Sequence, residues 1–442
     1  MAQTYDLLLK GGTVVNQDGR ALRDVGVRGG RIVAIGALEE AAAGKIINVK
    51  GLHVLPGVID TQVHFREPGP THKEDLESGS RAAVMGGVTG VFEMPNTNPS
   101  TTDAAALRDK LERAKDRMWC DHAFYAGASA ENVDDLPELE RIPGCCGVKV
   151  FMGSSTGSLL VDDDATLARV LQKITRRAAF HCEDEARLIA RENERVSGDP
   201  SSHPIWRDEL TAFTATERLV NLARKARKPV HVLHVTTGRE MDFLAQNKDI
   251  ATLEATPQHL TLAAPDAYSE LGTLAQMNPP IRGEKERAAL MRAVQAGIVD
   301  VIGSDHAPHT REEKARAYPQ SPSGMPGVQT LVPVMLDHVN RGRLTLERFV
   351  DLSSHGAHRI FGIAGKGRIA VGYDADFTIV DMKARRTMND SWSQSRCGWT
   401  PFHGRVLQGW PVGTIIRGRP VMWEGELQGP ARGRPMRFWS AL

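Results

Sequence analysis

The chain has 442 residues, 41% hydrophobic and 25% charged, with 55 Lys plus Arg against 54 Asp plus Glu and a net charge of +1. That length accommodates one large domain and a smaller companion, and the balanced charge speaks against nucleic-acid or membrane-surface partners. No apolar run is long enough to span a bilayer, residues 1–10 do not read as a secretory leader, and five irregularly spaced cysteines (Cys120, Cys145, Cys146, Cys182, Cys397) suit free thiols in a reducing, cytoplasmic setting.

In chain order, residues 6–15, 25–35 and 45–49 alternate Val, Ile and Leu with Gly-containing turns, which predicts short β-strands. The tail has the same texture, with strands at 374–380, 413–416 and 420–423. We therefore expect 1–54 plus 366–442 to form one small β-sandwich. Over 55–365, strand-like runs at 58–62, 87–94, 121–126, 147–152, 178–181, 230–234, 252–255 and 300–303 alternate with helical stretches. The helices fall at 74–85, 104–114, 166–175, 210–224, 284–296 and 328–340. Eight strands with intervening helices specify an α/β fold, a (β/α)8 TIM barrel. Residues 309–324, rich in charge, Pro and Gly, read as an active-site loop or lid.

Barrels of this kind build their sites at the C-terminal strand ends, and the chemistry-bearing residues fall there. Strand one runs into Gln62, His64 and Arg66, strand two into Asn96, and strands four, five and six carry Lys149, His181 and His234. Strand eight runs into Ser304-Asp305-His306-Ala307-Pro308-His309. Imidazole and carboxylate are the usual zinc ligands, so His64, His181, His234 and Asp305 are candidate metal ligands. A lone His at a strand end is more often a hydrogen-bonded core residue; several at the ends of different strands reverse that preference. His231 competes with His234, and by strand alternation the two face opposite sides; His234 lies nearer the catalytic end. Lys149 sits in a run suited to a buried strand, where burial favours the neutral amine. A neutral amine can add CO₂ to give an anionic carbamate able to bridge two cations; the alternative is a lysine snorkelling to the rim. Asp305 can ligate the metal and shuttle the proton of the attacking water, or simply cap the turn after strand eight. Two residues beyond His64 and on its face by alternation, Arg66 can hold a substrate carboxylate with its guanidinium fork, or form a surface salt bridge with Glu67. Asn96 and His309 can add hydrogen bonds to that carboxylate.

These segments resemble the amidohydrolase superfamily, and within it the dihydroorotases. The resemblance rests on Pro56-Gly57-Val58-Ile59-Asp60, His64-Phe65-Arg66-Glu67-Pro68-Gly69, Met94-Pro95-Asn96-Thr97-Asn98-Pro99, His181-Cys182-Glu183, Met277-Asn278-Pro279-Pro280-Ile281-Arg282 and the 304–309 segment. It implies reversible cyclisation of N-carbamoyl-L-aspartate to dihydroorotate, in pyrimidine synthesis, by metal-activated hydroxide with Asp305 as general acid/base. Arg66, Asn96 and His309 would hold the substrate carboxylate and Asn278 would contact the ring. It also implies one or two zinc ions with an N6-carboxylated Lys149, and a homodimer, with aspartate carbamoyltransferase as a candidate partner. The sequence departs from the family at Gln62, where a histidine stands in the pattern; an amide oxygen is a poorer zinc ligand than imidazole. The alternatives are another cyclic amidase (a dihydropyrimidinase, hydantoinase or allantoinase) and a catalytically silent homologue serving as a scaffold.

Overall fold

The computed structural model describes residues 5–40, 43–154 and 159–441. Residues 1–4, 41–42 and 442, read with the chain-end sandwich, and 155–158, read with the barrel, lie outside the described residues.

The Gly-punctuated start of the chain folds into β1 (Leu7–Asn16), β2 (Gly19–Arg28), β3 (Arg31–Gly36), β4 (Ile46–Asn48) and β5 (His53–Pro56). The run at 25–35, read as a strand pattern around Gly29-Gly30, is the turn and flanking strands of a hairpin. Gly29 and Gly30 both take positive φ, 59° and 78°, which lets two residues reverse the chain between β2 and β3. The barrel strands follow: β6 (Val58–Val63), β7 (Val88–Glu93), β8 (Asp121–Gly127), β9 (Cys145–Phe151), β10 (Ala178–His181), β11 (Val230–Val232), β12 (Ala251–Ala255) and β13 (Val301–Ile302). The tail supplies β14 (Phe377–Thr387), β15 (Val406–Ile416), β16 (Arg419–Trp423) and β17 (Glu426–Leu427). Antiparallel pairing of β5 with β14 joins the two chain ends into one nine-stranded sheet, which buries Leu7, Val25, Ile32, Val54, Phe377 and Ile415.

Strands β6 to β13 pair in chain order, and a parallel bridge between Val63 and His306 brings the last strand back to the first. Their side chains alternate. One set, including Val58, Val88, Val148 and Val232, packs beneath the surrounding helices. The other points inward, where Ile59, Phe92, Tyr125 and Ala179 form an apolar floor closed by Phe361 from a helix and Phe438 from the tail, with Phe92 and Phe361 edge-to-face at 5.1 Å. The first helix, Leu76–Met85, starts at Asp75, whose carboxylate and backbone N–H exchange hydrogen bonds with Ser78. Among the described residues no helix is long and apolar enough to cross a membrane. The stretch 388–405, between β14 and β15, returns from the chain-end sheet to the barrel mouth. There Trp399 Nε1 donates to the His309 carbonyl at 2.8 Å, and Ser395 donates to Glu74.

Candidate active site

Each candidate side chain is delivered by a strand end, but strand alternation does not aim all of them. β6 ends at Val63, and Arg66 takes φ 63°; β11 ends at Val232, and His234 takes φ 35°; Asp305, past β13, takes φ 45°. A non-glycine residue held in this region costs about 1–3 kcal/mol and marks a place over-determined by its surroundings. The expectation that His231 and His234 face opposite sides therefore fails. His231 is inside the barrel, edge-on to Phe361 at 5.4 Å with Nδ1 on Thr252 Oγ1 at 2.9 Å, while the left-handed turn at His234 brings that ring to the mouth as well. Arg66 likewise reaches the rim through its turn and not through alternation with His64.

Two groups of polar side chains meet at the mouth. In the first, His181 Nδ1 and His234 Nε2 lie 3.0 Å apart. His181 Nε2 donates to Glu183 at 2.8 Å, which assigns the hydrogen to Nε2 and leaves Nδ1 a lone pair. Glu183 is wholly buried; desolvation raises its pKa, but the guanidinium of Arg207 and the His181 contact outweigh it and hold the carboxyl well below the usual range. Lys149 stands beside this pair, 1% exposed, its Nζ 4.4 Å from the Phe151 ring centre. Burial lowers its pKa to about 7. Among the described residues Lys149 Nζ and His234 Nδ1 have no hydrogen-bond partner.

In the second group, Asp305 Oδ1 accepts from Gln62 Nε2 at 3.0 Å and faces His64 Nε2 at 3.2 Å. His64 Nδ1 donates to Asn96 Oδ1 at 2.8 Å. Gln62 Oε1 is buried without a partner among the described residues. Together, Gln62, His64, His181, His234, Asp305 and Asn278 line one cleft of about 300 Å³, open to solvent. Asn278 is held from behind: His203 Nε2 donates to its Oδ1 at 2.9 Å.

Arg66, Asn96 and His309 stand just behind the cleft wall. His309 accepts at Nδ1 from Lys73 at 3.1 Å and donates Nε2–H to the Ser323 carbonyl at 3.0 Å; burial pushes its pKa down to about 3. Arg66 is 5% exposed. It donates to the Pro308 carbonyl, its Nη2 lies 3.3 Å from His309 Nε2, and the carboxylates of Asp305, Glu93, Glu313 and Glu74 act on it only through space. Burial lowers its pKa to about 10. Sequence reading missed Glu183, Arg207, His203 and Lys73. Glu183 had a signal, standing two residues past His181; the others act across long sequence gaps.

Among the described residues no three His, Cys, Asp or Glu side chains gather as a ready-made ligand set. The first group still fits a cation. Two ligand nitrogens on tetrahedral zinc, with bonds of about 2.0–2.1 Å, sit about 3.3 Å apart, close to the 3.0 Å between His181 Nδ1 and His234 Nε2. The Lys149 nitrogen beside them, without a hydrogen-bond partner among the described residues, is what a missing partner would leave behind.

A model of the amidohydrolase family matches residues 53–421. The chain is 37% identical to a dihydroorotase of Halobacterium salinarum over 427 residues, 95% of this chain and 97% of that protein. It is 35% identical to an allantoinase of Rubrobacter xylanophilus over 450 residues, 98% of each. Among solved structures, the L-hydantoinase (dihydropyrimidinase) of Arthrobacter aurescens superposes with a TM-score of 0.94 at 28% identity, covering 98% of this chain and all of that one.

Proposed function

The chain belongs to the amidohydrolase family, and on that premise we propose that it interconverts N-carbamoyl-L-aspartate and dihydroorotate, a step of pyrimidine biosynthesis. The observation that carries this reading is Arg66. A guanidinium almost never lies fully buried without an anion, and this one has no carboxylate among its described hydrogen-bond partners. Dihydroorotate brings a carboxylate; hydantoin and allantoin bring none. Relatives named dihydroorotase over nearly the whole chain support the same choice.

Lys149, His181 and His234 would hold a divalent cation, zinc by the chemistry of its ligands. Bound there, such a cation polarises the scissile carbonyl and makes water acidic enough to attack at neutral pH. Burial keeps the Lys149 amine readily deprotonated, so it can add CO₂ and lose a proton to become a carbamate, an anionic oxygen ligand. Asp305, held by Gln62, takes a proton from the attacking water and returns it to the ring nitrogen as the C–N bond breaks. Arg66, with Asn96 and His309 behind the cleft, binds the substrate carboxylate, and Asn278, fixed by His203, contacts the ring.

The test is turnover of dihydroorotate, hydantoin and allantoin by the purified zinc-loaded protein. Dihydroorotate should be the preferred substrate, and Arg66→Ala should weaken its productive binding by about 1.5–3 kcal/mol. Preference for hydantoin or allantoin, or an Arg66→Ala variant with unchanged kcat/KM, overturns the assignment. Gln62 favours a second reading, a silent homologue acting as a scaffold; a zinc-containing protein inert toward all three substrates would establish it.

A further inference from the structure

The two groups at the mouth differ in a way that bears on how many cations the site retains. In the first, His181 Nδ1 and His234 Nε2 face each other, the His181 hydrogen being committed to Glu183. Placing the His234 hydrogen between them serves that pair but still leaves Lys149 Nζ buried without a partner among the described residues. No rearrangement of protons within this group serves all of its nitrogens. In the second, His64 Nδ1 is tied to Asn96 at 2.8 Å and its Nε2 faces Asp305 Oδ1 at 3.2 Å, but that same carboxylate oxygen already accepts the Gln62 N–H at 3.0 Å, so a neutral donor occupies the place where the first group has none. A cation entering here would have to displace that hydrogen bond to reach Asp305 Oδ1, and accept the neutral Gln62 Oε1 as a ligand in place of an imidazole.

Resting on the metal-dependent reading above, we infer that the site retains a single divalent cation, held by Lys149, His181 and His234, and that the Gln62 N–H takes the place of a second cation beside Asp305. Gln62 is then a positioning residue: it orients the Asp305 carboxylate by hydrogen bonding, where a histidine at the same position would recruit metal.

The measurement is zinc per chain by mass spectrometry, after incubating the full-length protein with excess zinc and bicarbonate and then desalting it. The expected stoichiometry is one for the wild type, two for Gln62→His, and none for His181→Ala. Gln62→Glu, isosteric with the wild type and supplying an anionic oxygen, should also retain two, and circular dichroism establishes that each variant is folded. Two zinc ions on the wild type, or one on both folded Gln62 variants, overturns the inference while leaving the metal-dependent reading intact. One zinc remaining on His181→Ala places the cation in the other group and overturns it as well. No zinc on the wild type instead overturns the metal-dependent reading on which it rests.

Discussion

The floor and the rim of the barrel are built from the same eight strands and obey opposite rules. At the floor, Ile59, Phe92, Tyr125 and Ala179 interdigitate as buried apolar groups, in the alternation that a strand imposes. At the rim, a few residues further along the same strands, Arg66, His234 and Asp305 sit in left-handed conformations, and Gln62, Lys149 and His234 carry buried polar atoms without partners among the described residues. The floor's apolar side chains pack without any left-handed residue among them, although His231 beside Phe361 keeps an unpartnered Nε2 among the described residues; the rim combines both kinds of violation in one small volume. Such concentrated violations are what a ligand-binding site leaves in an otherwise self-consistent fold.

The contrast can be broken from either side. The largest effect belongs to Asp305→Ala, which should cut turnover by about 10²–10⁴-fold with little change in thermal midpoint; near-normal turnover would remove Asp305 from the mechanism. Phe92→Ala should do the converse. Emptying a fully buried aromatic site costs about 3–5 kcal/mol of stability, seen in denaturant titration, while kcat of the remaining folded protein stays near wild type. The smallest effect sharpens the comparison through pH. In cation-free, CO₂-free protein, Lys149 has a folded pKa of about 7 against an ordinary value of 10.5. The unfolded chain therefore binds the extra proton between those values, so stability rises with pH across that window, by at most about 1.4 kcal/mol per pH unit. Lys149→Met should flatten the slope and stabilise the protein below pH 7; an unchanged slope would show that Lys149 is not the group being desolvated.

How much of this was legible in sequence follows the same division. Alternating strand and helix patterns gave the barrel, and residues at strand ends (His64, Lys149, His181, His234, Asp305) do meet at one mouth. The failures came where backbone turns override periodicity. Alternation misassigned His231, which is interior, because His234 lies beyond its strand in a conformation that no pattern of apolar residues signals. The supporting partners were invisible for another reason. Arg207 reaches Glu183 across 24 residues and His203 reaches Asn278 across 75, and nothing local in either segment announces the pairing. The 388–405 stretch falls inside the 366–442 segment assigned to the chain-end sandwich, and its contacts with Glu74 and His309 carry no local signal because they exist only once the barrel has closed.

That stretch has a consequence for engineering. Trp399 and Ser395, carried by the chain-end sheet, fasten the backbone of His309 and the buried Glu74 that faces His306. Barrel and tail are thus not interchangeable parts. A chimera that grafts a relative's tail onto this barrel after residue 365 inherits a foreign brace against its own catalytic loop, so a working splice has to keep 388–405 with the barrel it evolved to grip.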